Sequence, residues 1–63
     1  MTVDNCQPIR DKIDALESEI REFEEALPEL PPRLREQVRR MIQRKKQRLQ
    51  GLRAQLLACE QAA

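Results

Sequence analysis

Sixty-three residues allow one small domain, too short to bury a large apolar core. Charged residues make up 37% of the chain, Phe23 is the one aromatic, and His, Trp and Tyr are absent, so no nucleophile–base pair of the usual kind can be assembled and no enzyme is expected. A net charge of +1 points to neither nucleic acid nor an acidic partner, and no apolar run approaches the roughly 20 residues of a membrane span.

The chain opens with Met1-Thr2-Val3-Asp4-Asn5, which reads as a short disordered lead. It has neither a basic start nor an apolar stretch, so no signal peptide is expected and the cytoplasm is favoured. Asn5 suits a helix N-cap, with its side-chain oxygen accepting from the first free amides, and Pro8 then falls at N3. Helix 1 is predicted from about Cys6 to about Leu27. Pro28 ends it, because a residue before proline is pushed out of the α region. Residues 28–31 form the turn, and Pro32 suits the first position of helix 2, with its φ already set. Helix 2 is predicted from about 32 to about 60, with residues 61–63 fraying.

Apolar positions give these helices their arrangement. Cys6, Ile9, Ile13, Leu16, Ile20, Phe23 and Leu27 follow alternating steps of three and four. Val38, Ile42, Lys45, Leu49, Leu52, Leu56 and Cys59 do the same, and each pairs with a residue of the first set so that the two numbers add to 65. In heptad terms the first set starts at position a with Cys6 and the second at position d with Val38, so every cross-pair sets a against d. The fold class is therefore all-α: a two-helix antiparallel coiled-coil hairpin spanning the single domain 1–63, with dimerisation into a four-helix bundle as an option. Flanking charges agree with this register. Position e pairs Arg10 with Glu60, Glu17 with Arg53 and Glu24 with Lys46, and position g sets Glu19 opposite Arg48. Such exposed pairs contribute only about a few tenths of a kcal/mol each, so their value lies in orientation and register.

Two positions break the pattern. Lys45 faces Ile20 in the core, and its stem can pack there while the ammonium reaches Glu17, Glu19 or Glu24. The alternative is a polar register device that sets alignment or oligomer state. Gly51 lies at an exposed position inside helix 2, where it costs roughly 1 kcal/mol relative to Ala. It is either tolerated or marks close approach by another helix.

Cys6 and Cys59 meet in the last layer before the free ends, so a disulfide is predicted under oxidising conditions. In the chain-entropy model closing so long a loop contributes about 4 kcal/mol. The competing readings are two buried thiols or a reactive Cys6 at a helix start. A bonded pair favours an oxidising compartment, against the bare N-terminus, so localisation stays open. Redox catalysis is not expected, since no Cys-x-x-Cys spacing occurs.

No catalytic, cofactor-binding or metal residue is assigned, and no small-molecule ligand. Asp11, Asp14, Ser18, Glu22 and Glu25 share a face of helix 1, and a solvated acidic stripe accounts for it. Charge is split between the halves: nine acids and three bases in residues 1–30, nine bases and two acids in 31–63. A lone pair of helices buries little, so association with a partner protein or a second copy is expected. Candidate surfaces are Gly51, Ala54, Leu57 and Ala58 near the open end, and Ala26, Leu30, Leu34 and Met41 near the turn. The function expected is a structural or protein-interaction module. The alternative is RNA or other nucleic-acid binding through Arg33, Arg40, Arg44, Lys46 and Arg48. The absence of interleaved aromatics and the acids of helix 1 count against it.

Overall fold

A computed structural model describes residues 5–62. The lead expected over residues 1–4 lies outside these, as does Ala63. Two α-helices, α1 (Gln7–Ala26) and α2 (Pro32–Ala62), are joined by a 3₁₀ turn over Leu27–Glu29, and no strand occurs among the described residues. Contacts between the helices run in reverse order, from Arg10 with Glu60 through Glu17 with Arg53 to Glu24 with Lys46, so the chain doubles back as a hairpin.

The start of α1 differs from the expectation. Cys6, not Asn5, is the N-cap, and no side chain caps the helix. Cys6 has a φ of −89° and a ψ of −12°, so its backbone is already near the helical region, and its carbonyl accepts from Ile9 and Arg10 at 3.0 and 3.1 Å. With Cys6 in the cap, Pro8 falls at N2 rather than N3. That position tolerates proline equally well, because the amides of the first turn have no partner within the helix.

The far end of α1 differs in mechanism. Leu27 stays helical before Pro28, with φ −53° and ψ −46°, so proline's steric effect on its predecessor does not end the helix there. What ends the α-helix is the missing N–H of Pro28: Leu27 N–H still reaches the Phe23 carbonyl, and the chain then tightens into the 3₁₀ turn, closed by Leu30 N–H on the Leu27 carbonyl at 3.2 Å. The chain leaves helical space at Leu30 (φ −84°, ψ 148°), the residue before Pro31, where the expected steric push does operate. Pro32 opens α2 as predicted, and the Pro31 carbonyl accepts from Leu34 and Arg35 at 2.9 and 3.0 Å. Arg35 also folds back, donating Nε–H to the Leu30 carbonyl at 2.7 Å. At its other end α2 continues through Gln61 and Ala62 instead of fraying after Glu60, since Cys59 ties its last turns to α1.

The core is a single seam. Cys6, Ile13, Leu16, Ile20, Ile42, Leu49 and Leu52 are buried, all at a or d positions, with Ile9, Phe23, Val38 and Leu56 packed at its margins. No side chain among the described residues is fully enclosed. The molecule is a thin rod of 53 × 15 × 10 Å with a radius of gyration of 15.1 Å, against about 11 Å for a compact domain of this length. Among the described residues, no helix is long and apolar enough to cross a membrane.

Candidate interaction surfaces

Folding the chain back on itself gives the hairpin two unlike long sides. Helical periodicity puts positions e and b on one side of the seam and g and c on the other, with f outermost. On the e side the three predicted cross-helix pairs all form: Arg10 Nη2 to Glu60 at 3.2 Å, Arg53 Nη2 to Glu17 at 3.3 Å and Lys46 Nζ to Glu24 at 3.4 Å. Arg21 and Gln50 join two of these pairs around an open groove of about 370 Å³ floored by Ile20 and Leu49. This side is spanned by matched charges.

The g side is organised by Lys45. Its stem is half-buried against the seam and its ammonium sits 2.5 Å from Glu19 and 5.7 Å from the centre of the Phe23 ring. Of the three carboxylates within reach by sequence, Glu19 is the one taken. This corrects the pairing of Glu19 with Arg48: the carboxylate is taken by Lys45, which reaches it from the seam. Among the described residues, neither Arg48, Arg44 nor Glu22 makes an ion pair, and all three are exposed on the g and c side.

The apolar candidates divide between the sides. Leu34 and Met41, at g positions near the turn, are 45% and 40% exposed, and Ala26 on α1 shares their side. Gly51 and Ala58 continue that side toward the open end at c positions. A Cβ added at Gly51 would meet nothing within 4 Å, and its φ is not positive, so neither backbone nor internal packing calls for glycine there. Ala54 is outermost, and Leu57, 57% exposed, turns toward the e and b side. The four open-end residues are therefore neighbours three and four apart on the outer face of α2, spread from the c position through f to b rather than lying on one long side.

The arginines proposed for nucleic acid are only partly together. Arg33, Arg40, Arg44 and Arg48 lie along one stripe of α2, while Lys46 is on the opposite edge with Glu24. Arg40 shares Glu36 with Arg39, at 3.9 and 3.8 Å.

The open end is closed covalently. Cys6 and Cys59 form a disulfide across 53 residues with their Cα atoms 5.9 Å apart. Cys6 is buried and Cys59 half-buried, and the Arg10–Glu60 pair lies beside them. This bond leaves the cellular compartment open. Among the described residues, no three His, Cys, Asp or Glu side chains lie close enough to hold a metal ion. Comparison with protein-family models, with curated proteins and with solved structures finds no match for the chain.

Proposed function

We propose that this protein is a small interaction module, not an enzyme: a disulfide-closed helical hairpin that docks on protein through its g and c side. The observation that carries the reading is that Leu34 and Met41 stand exposed beside a seam in which no side chain is fully enclosed. A second layer of helix on that side would give both a buried face, and layered burial is how small helical elements gain stability. The e and b side carries one exposed large apolar residue, Leu57, against two on the g and c side, and is already bridged by three ion pairs, so it has less to gain from a cover. The test is side-specific photocrosslinking with a benzophenone amino acid at Met41 or, on the other side, at Gln50. Protein adducts from position 41 and none from 50 support the reading. Equal labelling from both, or none from either, overturns it.

A second reading rests on the exposed stripe of Arg33, Arg40, Arg44 and Arg48, whose guanidinium groups can neutralise phosphates. It requires salt-sensitive binding to mixed RNA or duplex DNA that is lost in an R40E/R44E variant. Absence of binding at low salt removes it.

A further inference from the structure

We infer that the docking partner is a second copy of this chain, with α1 of each copy laid over α2 of the other and both turns at the same end. The inference rests on the reading of the g and c side as a docking face. It comes from charges that the hairpin leaves over. Because Lys45 takes Glu19, the g and c side keeps exposed Glu22 on α1 and exposed Arg44 and Arg48 on α2, none with an ion partner among the described residues.

Two hairpins can face each other through this side about a two-fold axis in two ways. An axis across the helices puts α1 on α1 and α2 on α2, which at full overlap sets Arg48 against Arg48 of the other copy, leaves Arg44 near the uncharged Gly51 and Gln55, and gives Glu22 only Lys12. An axis along the helices puts α1 of one copy on α2 of the other. Residues then meet at the heights set by the hairpin's own register, where numbers add to within two of 65. At that register Glu22 of one copy meets Arg44 of the other, Glu19 lies near Arg48, and Ala26 lies near Met41. Ala15 falls on Gly51, whose missing side chain leaves room for the approaching helix. Lys12 meets the neutral Gln55. No like charges face each other at these heights, and the two-fold repeats each favourable pair. The same patch serves both copies, as a closed dimer requires.

Sedimentation equilibrium of the oxidised chain tests this. Twice the chain mass is expected, with Arg44→Glu and Glu22→Arg each weakening association about tenfold or more and the E22R/R44E double variant restoring it. Both residues are exposed and make no ion pair within the hairpin among the described residues, so far-UV circular dichroism of each single variant should be unchanged. A chain that stays monomeric at millimolar concentration overturns the inference, and so does a dimer whose single variants are not rescued in the double. If the monomeric chain still gives adducts to another protein from position 41 alone, the docking reading stands and only the second copy falls. If it gives none, both fall.

Discussion

Lys45 occupies a seam position where every layer on either side is apolar, and its surroundings explain how the fold tolerates it. The stem is half-buried, the ammonium rests on Glu19, and the Phe23 ring lies under the charge at 5.7 Å. These contacts hold a charged group at the margin of the core, and a leucine would fill the same space without them. Lys45→Leu should stabilise the hairpin by about 0.5–1 kcal/mol, the added apolar burial exceeding the lost ion pair and cation–π contact. Thermal denaturation followed by circular dichroism reads this directly, and a lowered midpoint would mean the lysine contacts outweigh burial. That a lysine in the seam would snorkel to a helix 1 acid was legible in the sequence, because only Glu17, Glu19 and Glu24 lie within its reach. Its consequence for Arg48 was not, since choosing among three carboxylates takes the rotamer as well as the register. Asn5 shows the opposite kind of gap. Its cap preference is real, but the cap fell one residue later, on a cysteine whose side chain is committed to the disulfide.

The helices and their turn follow from where donors are missing and where φ is fixed. Pro28, Pro31 and Pro32 marked the turn in the sequence, and the structure places it there. The division of labour among them was not visible. Pro28 removes one amide and lets the chain tighten, Pro31 pushes Leu30 into the extended region, and Pro32 starts α2. Sequence rules treat each residue before proline alike, whereas Leu27 and Leu30 adopt different states because Leu27 still has an α-helical bond to Phe23 to keep. The Arg35–Leu30 hydrogen bond closes the turn from the α2 side at 2.7 Å, partly screened from water. Removing it leaves a half-buried carbonyl without that charged donor. Arg35→Ala should therefore lower stability by about 1 kcal/mol in urea titration. Arg35→Lys should recover little of it, because the planar Nε–H that makes the bond has no lysine counterpart.

At the scale of the whole molecule the balance is set by a seam one helix pair wide, a disulfide at its open end and a side still exposed. The mirrored spacing of the two apolar sets made the hairpin and the Cys6–Cys59 layer readable before any coordinates, since antiparallel pairing has one register that matches all seven layers. The difference between the long sides was not readable as clearly, because it depends on which charges are used up inside. Reduction, or Cys6→Ser with Cys59→Ser, reopens a loop of 53 residues and should cost about 4 kcal/mol. In so thin a core that is a large part of the total, so the urea midpoint should fall steeply on adding reductant and recover on reoxidation. Shape gives a separate check on how copies assemble. A second hairpin laid along the g and c side thickens the rod without lengthening it, so the longest dimension in small-angle scattering should stay near the 53 Å of one hairpin plus its side chains. An opened chain with α1 and α2 extended end to end about the proline turn would instead run beyond the roughly 76 Å of its two helices. The oxidised chain cannot take that form while Cys6 and Cys59 are bonded, but the reduced chain can. Scattering curves collected with and without reductant should therefore agree in maximum length if the seam alone holds the hairpin, and the reduced curve should lengthen if the disulfide is what keeps α1 and α2 together.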